Sequence, residues 1–210
     1  MKRIVGVVLA IGLLFDTGVA LAWSTQGAEL LSTKENAIDV GMGYPEMRFQ
    51  FHMPMSADLT IVPQFTFFYG YDVSAPVVGD GLFAGIRYRL YRSGGLHIAF
   101  QAEPGFILHY HPGGFGFGIQ IGLPQILLSY RFNEKIVFDG GFKVPVAIMV
   151  YPSPVVGSIP ILFNMGLEVS IAPNLNLFYT MDVGPDILAA SGGSVAQFRG
   201  VFLLGLAYHF

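Results

Sequence analysis

Residues 46–55 read EMRFQFHMPM, and this stretch decides the fold class. Its odd positions are all apolar, whereas its even positions from 46 to 52 are polar or charged. Successive side chains of a β-strand point to opposite faces, so a period of two places these residues on a strand with one apolar and one polar face. The stretch therefore predicts a two-faced strand.

The same alternation recurs in seven further segments along the chain. They are residues 59–71, 82–91, 96–109, 136–151, 161–171, 175–183 and 196–210. Several exceed the length of about 5 to 6 residues typical of globular strands, and they suffice for the roughly 9 to 11 residues of a tilted transmembrane strand. The pattern favours an all-β, antiparallel up-and-down transmembrane barrel, with a soluble secreted β-protein as the alternative.

The composition points to a membrane environment. Of the 210 residues, 53% are hydrophobic and only 12% are charged, against roughly 25% charged in an average soluble domain. The 27 glycines and 13 prolines argue against long membrane helices. A net charge of -3 without a basic cluster excludes nucleic-acid binding, and the absence of cysteine excludes disulfides and thiolate chemistry.

The N-terminus has the features of a secretory signal peptide. Lys2 and Arg3 precede an apolar run over residues 4–15, and Ala20 and Ala22 form a small-x-small cleavage pattern. We therefore expect residues 1–22 to be a signal peptide and residues 37–210 to form the barrel. Residues 23–36 are expected as a periplasmic tail, with insertion into the lumen as the alternative.

Turn signals suggest ten strands. Tight turns are expected at residues 56–58, 92–95, 133–135 and 172–174, and longer outside loops at 72–79, 110–114, 152–157 and 186–194. The apolar parity shifts across residues 43–46 and again across 122–125, and each shift requires a turn or a bulge. Because both barrel ends should lie in the periplasm, an even count is needed. Ten is preferred, with eight as the alternative.

Aromatic residues gather near the expected strand ends, as in the interfacial girdles of a membrane barrel. One set comprises Phe67, Tyr69 and Tyr71, and the other comprises Tyr88, Tyr130, Phe132, Tyr208 and Phe210.

The last six residues, 205–210, read GLAYHF. With Gly205, Tyr208 and Phe210 in place, this strand resembles the terminal signature of small Gram-negative outer-membrane β-barrel proteins of the OmpA, OmpX or OmpW sort. Leu203 departs from that pattern, which usually has a polar residue there. The resemblance implies localisation in the outer membrane and recognition of this strand by the barrel-assembly machinery.

The polar parity of the strands is expected to line the lumen with charges. The predicted lumen network consists of Arg48, Arg87, Arg89, Glu103, Arg131, Asp139, Lys143, Glu168, Asp182 and Arg199. Barrels of this size have interiors just wide enough for side chains or one small ligand, so these charges should pair and fill the lumen. In particular, Arg87 and Arg89 are placed to pair with Glu103.

The functional expectation is an integral outer-membrane protein with a structural or surface role. The alternative is a narrow porin-like channel for small or apolar solutes, and a lipid-modifying enzyme is less favoured because no motif brings Ser, His and an acid together. His52, His97 and His209 are expected as interior side chains. His109 and His111 share a face but make a weak metal site.

We therefore expect no catalytic residue, metal or cofactor. Outer-membrane lipid and the barrel-assembly machinery are the expected partners, nucleic acid is not, and a monomer is favoured.

Overall fold

The computed structural model describes residues 23–70, 78–111, 114–151 and 155–210, and the side chains of His111 and Tyr151 are not included. The described residues contain strands and turns but no helix. Accordingly, no helix of this part of the chain could cross a membrane.

Ten antiparallel strands form one closed sheet, as predicted. They are β1 (Ala37–Tyr44), β2 (Glu46–Pro54), β3 (Leu59–Tyr69), β4 (Val78–Ser93), β5 (Leu96–Ala102 and Gly105–His111), β6 (Gly114–Ile121 and Gln125–Arg131), β7 (Ile136–Lys143 and Val146–Tyr151), β8 (Val156–Pro160 and Leu162–Ala172), β9 (Leu175–Ala190) and β10 (Gly193–His209). Each strand pairs with its neighbours in sequence, and β1 pairs with β10 from Ala37↔His209 to Tyr44↔Phe202.

The two parity shifts have different structural origins. The chain turns at Pro45, between the end of β1 at Tyr44 and the start of β2 at Glu46, whereas residues 122–124 interrupt a single strand, β6. One turn and one interruption give the even strand count that the sequence left open.

Four neighbouring strands are interrupted at one level of the wall, and each break contains or directly follows a proline: Pro104 in β5, Pro124 in β6, Pro145 in β7 and Pro160 in β8. Proline has no N–H to donate to a β-ladder, so strands break or bulge where it occurs. The Gln120 side chain donates to the carbonyl oxygen of Glu103 at 2.8 Å and satisfies one backbone acceptor freed by this row of breaks.

The barrel has two distinct ends. One end, called the terminal end, holds Ala37 and His209 together with the short turns 94–95 and 173–174. The turns at residues 55–58 and 132–135 lie at this end as well, and the opposite end, called the loop end, holds the other connections. The long loop predicted at residues 186–194 is wrong, because β9 continues to Ala190 and β10 begins at Gly193, leaving a two-residue turn. Apolar residues at the ends of β9 and β10 pair with one another, as in Ile187↔Ala196 and Leu188↔Val195.

The distribution of polarity is opposite to that of a soluble protein. Large apolar side chains on the outward parity are exposed, among them Leu82, Phe106 and Leu204, whereas inward polar side chains such as Gln125, Asp139 and Glu168 are almost fully buried. The predicted terminal-end aromatics Tyr88, Tyr130, Phe132, Tyr208 and Phe210 are all exposed on this outer surface. Tyr71 lies outside the described residues.

A soluble barrel would bury its apolar face in the core and expose its polar face to water. This chain is therefore a transmembrane β-barrel. An even number of antiparallel strands with an apolar outer band is the architecture of bacterial outer-membrane barrels, in agreement with the predicted location.

Candidate functional site

The first nine described residues, 23–31, lie inside the lumen at the terminal end and are all buried. We call this segment the plug. It belongs to the stretch that was expected as a periplasmic tail, with lumen insertion as the alternative. Ser32, Thr33 and Lys34 are exposed, and Asn36 exchanges two backbone hydrogen bonds with Phe210, at 3.0 and 2.9 Å, just before β1 begins.

Glu168 on β8 is the main anchor of the plug. Its carboxylate accepts from the Ser24 hydroxyl at 2.6 Å and from the backbone N–H groups of Thr25 and Gln26 at 3.0 and 2.9 Å. Hydrogen bonds to an ionised acceptor are about twice as strong as neutral ones. The plug backbone is thus satisfied by a wall carboxylate instead of by water.

A second anchor comes from the neighbouring strands β6 and β7. Ser129 Oγ accepts from the backbone N–H groups of Ala28 and Glu29 at 2.7 and 3.2 Å and donates to Asp139 Oδ1 at 2.6 Å. Gly27 passes directly over this pair, since a Cβ on it would lie 1.8 Å from Asp139 Oδ1. The close approach requires a residue without a side chain.

Strands β4 and β9 contribute two further contacts to the plug. Arg87 on β4 donates to the carbonyl oxygen of Thr25 at 2.9 Å, and Asn176 on β9 donates to that of Trp23 at 2.5 Å. The Trp23 ring stacks on His209 of β10, with ring centroids 4.6 Å apart. The plug therefore contacts wall strands on several sides and crosses the lumen.

Glu29 ends the polar part of the plug and forms an ion pair with Arg131 on β6. Burial raises the pKa of the Glu29 carboxyl, and the charge of Arg131 opposes that shift. This pair lies at the terminal end, where the plug leaves the lumen.

The half of the lumen toward the loop end holds a cavity of about 300 Å³, within the size range of small-molecule sites. Part of its wall is apolar and formed by Phe68, Phe83, Ile107, Ala147 and Met149. The rest is polar and includes residues at the row of proline breaks, among them Glu103, Gln120 and Gln125.

The charges that line the cavity are mostly paired with one another. Arg48 binds Glu46 at 2.7 Å, Lys143 binds Asp182 at 3.0 Å, and Arg199 lies 3.9 Å from Asp186. Glu103 differs, because its carboxylate accepts from the side-chain amides of Gln101 and Gln125, the latter at 3.1 Å.

The predicted lumen charges therefore fall into two groups. Arg87, Arg131, Asp139 and Glu168 contact or support the plug, whereas Arg48, Glu103, Lys143, Asp182 and Arg199 line the cavity. Arg89 lies at the terminal rim and binds Asp58 at 3.3 Å. The suggested pairing of Arg87 with Glu103 is indirect: Arg87 donates to Gln101 at 2.6 Å, and Gln101 donates to Glu103.

A side recess of about 240 Å³ adjoins the cavity at the loop end. β1 stops at Tyr44, opposite Phe202, so residues 193–201 of β10 pair only with β9 within the described chain. Tyr44, Gly70 and Phe198 line the recess, and Gln197 and Arg199 line both spaces. The Phe198 side chain at this edge is 76% exposed.

The histidines whose side chains are described occupy inward positions. His52 is buried and lies 2.6 Å from Asp39, His97 is buried, and His209 packs on Trp23. His109 lines the cavity and contacts the edge of Phe68, while the His111 side chain lies outside the described residues. Within the described part of the chain, no three His, Asp or Glu side chains cluster as metal ligands.

The C-terminal residues singled out by the sequence sit on the seam between β10 and β1. Tyr208 and Phe210 are exposed on the outer surface and stack with ring centroids 6.1 Å apart. A Cβ on Gly205 would lie 2.2 Å from the Val40 carbonyl oxygen and 2.4 Å from the Phe178 ring. Glycine is thus required for close packing at the seam. Recognition by the assembly machinery stays a prediction.

Sequence reasoning did not identify the uncharged residues Ser129 and Asn176, which hold the plug, or Gln101, which accepts from Arg87. Each lies at an inward-facing position of its strand, and this alternation was the only sequence feature that could have indicated a role in the lumen. Their partners, however, lie up to 153 positions away in sequence.

No protein-family model matches the sequence, and no curated protein matches it. Among solved structures, the outer membrane protease OmpT from Escherichia coli is similar at 10% identity and a TM-score of 0.45, covering 84% of this chain and 93% of that one. Ail, the attachment invasion locus protein of Yersinia pestis, has 13% identity and a TM-score of 0.33, covering 84% and 98%.

A loop L8 deletion mutant of OmpT, an outer membrane protein of Vibrio cholerae, has 7% identity and a TM-score of 0.26, covering 84% and 97%. Likenesses at these values transfer no function, and protease activity is a property of the first protein only.

Proposed function

We propose that this chain is an integral outer-membrane barrel whose lumen is closed by its own N-terminal segment, so that it acts as a non-conducting surface protein. The observation that carries the proposal is the set of hydrogen bonds from Ser24, Thr25 and Gln26 to Glu168 across the lumen.

Several groups would lose their partners if the plug left. Buried Glu168, Asp139 and Arg87 would all need water or ions in place of plug atoms. A buried donor or acceptor without a partner costs about 1 to 3 kcal/mol, and the cost rises for charged groups. These contacts favour a closed lumen at equilibrium. A narrow channel, the alternative, requires the plug to be displaced.

Single-channel conductance in a planar bilayer tests the proposal. We would compare refolded residues 23–210 with residues 32–210, which lack the plug, and use Glu134→Gln at an exposed turn as the matched control. The longer chain and the control should be silent, and the shortened chain should conduct, because its polar wall would line a water path. Heat-modifiable migration in a gel would verify that each barrel is folded.

Steady conductance of residues 23–210 would contradict the closed-lumen proposal and favour the channel. Silence of a folded 32–210 barrel would show that wall side chains, not the plug, close the lumen.

A further inference from the structure

We propose that the cavity at the loop end is a binding site for a small amphipathic amine. Its ammonium group is held by Glu103 and Gln125, and its apolar body packs on the wall formed by Phe68, Phe83 and Ile107. This inference goes beyond the closed-barrel role, because a non-conducting barrel needs no ligand.

The charge balance of the cavity selects a cation. Four carboxylates line it, from Glu46, Glu103, Asp182 and Asp186, against three cationic side chains, Arg48, Lys143 and Arg199. Each cation lies next to a carboxylate other than Glu103. Among the described lining residues, Glu103 is therefore the one carboxylate without a cation in direct contact, since Arg87 reaches it only through Gln101. A partly buried carboxylate is stabilised when a cation pairs with it.

Glu103 has the remaining capacity to accept a cation. A carboxylate offers about four lone-pair sites. The amides of Gln101 and Gln125 use one on each oxygen. Arg48 and Arg87 lie within electrostatic range of Glu103 but donate to Glu46, Gln101 and Thr25 instead. Two or more acceptor sites thus remain for the N–H groups of a ligand.

Gln125 provides an independent indication. Its side chain lines the cavity and is only 1% exposed, yet its Oε1 atom has no hydrogen-bond partner among the described residues. A buried carbonyl oxygen without a donor is costly, and such atoms in native structures call for an explanation. Because Gln125 Nε2 donates to Glu103, the unpaired oxygen and the carboxylate belong to the same corner. Both are acceptors, as an ammonium requires.

The rest of the cavity determines that the ligand is amphipathic. Phe68, Phe83 and Ile107 form a buried apolar cluster against which Ala147 and Met149 pack. Ligand sites in general combine an apolar lining with few polar groups that orient the ligand. The volume of about 300 Å³ limits the ligand to a small molecule. The side recess is lined by Arg199 and by the exposed Phe198. It offers the ligand a path into the cavity from the outer surface of the barrel.

The test compares three probes that share a phenylethyl group, in lipid nanodiscs that carry refolded residues 23–210. Phenethylamine is the cation, 2-phenylethanol is its neutral counterpart, and 3-phenylpropionate is the anion. Saturation-transfer NMR and equilibrium dialysis report binding, with empty nanodiscs correcting for partition into lipid. The amine should bind at least about tenfold more tightly than the alcohol, and the anion should not compete.

The Glu103→Gln variant keeps the shape of the side chain and removes its charge. It should reduce the affinity of the amine to that of the alcohol and leave alcohol binding unchanged. Asp58→Asn, at an exposed turn outside the cavity, is the matched control and should bind the amine like the parent chain.

Equal binding of amine and alcohol by the parent chain would overturn the proposal, and this comparison does not depend on folding of any variant. An unchanged amine affinity in folded Glu103→Gln would also overturn it. Neither result bears on conductance, so the closed-lumen proposal and the ligand proposal can fail separately.

Discussion

The two halves of the lumen are lined by the same kinds of inward polar side chains but are satisfied in different ways. At the terminal end, Glu168 and Ser129 accept hydrogen bonds from the backbone of the plug. At the loop end, Lys143 on β7 pairs with Asp182 on β9 across the intervening strand β8, and a cavity remains. An identical two-residue periodicity therefore produces a filled half and an open half.

This difference predicts which half of the lumen contributes more to the stability of the folded barrel. Water can replace a lost partner in the cavity, because the space is already large enough to hold it. Near the plug, the donors are backbone groups buried against the wall, and few other partners are within reach. Matched substitutions in the two halves should therefore differ in cost.

The largest difference is expected for the removal of a carboxylate. Glu168→Ala should lower the free energy of unfolding by about 3 kcal/mol, since Ser24, Thr25 and Gln26 all lose their acceptor. Asp186→Ala at the cavity should cost about 1 kcal/mol, because water can reach the Ser158 hydroxyl. Urea titration followed by circular dichroism measures both.

The same two variants can also be compared by the fluorescence of Trp23, which is the only tryptophan of the chain and lies in the plug. Acrylamide should quench its fluorescence several-fold more in Glu168→Ala than in the parent chain, and equally in Asp186→Ala and the parent. Equal quenching in both variants would remove the distinction between the halves.

An intermediate effect is expected where the plug touches the wall most closely. Gly27→Ala should destabilise the protein by about 2 kcal/mol, because its Cβ would overlap Asp139 Oδ1 and Ser129 Oγ. Gly192→Ala, where no atom lies within 4 Å of the added carbon, is the control and should change stability little. A plug that tolerates Gly27→Ala without a change in Trp23 quenching would not be packed as described.

The smallest effect is expected for a hydroxyl. Ser129→Ala removes the acceptor for the N–H groups of Ala28 and Glu29 and should cost about 1 kcal/mol. Ser158→Ala removes one hydrogen bond to Asp186 at the cavity and should stay within about 0.5 kcal/mol. Urea titration measures both. Equal losses of unfolding free energy in the two serine variants would contradict the expected difference between the two halves of the lumen.

Much of the fold was predictable because it depends on local rules. Side chains alternate along a strand, and low charge requires an apolar exterior, so the inward position of Arg48 and the outward position of Phe49 could be read directly. The parity shifts at 43–46 and 122–125 were found but not distinguished. A turn and a bulge shift the parity alike, and only strand pairing separates them.

The loop predicted at 186–194 failed for a related reason. Gly192, Gly193 and Ser194 mark a turn, but residues before and after them are held in strands by sixteen paired positions between β9 and β10. Pairing with β10 extends β9 to Ala190, beyond the point at which its local sequence still predicts a strand.

Composition and alternation were sufficient to establish an antiparallel membrane barrel with a polar interior, since these features depend on each residue and its nearest neighbours. The position of the plug and the division of the lumen were not accessible in this way. The bond from Asn176 to Trp23 and the bonds from Thr25 and Gln26 to Glu168 join residues more than 140 positions apart. Such contacts arise only when the barrel closes and brings distant strands around the same segment.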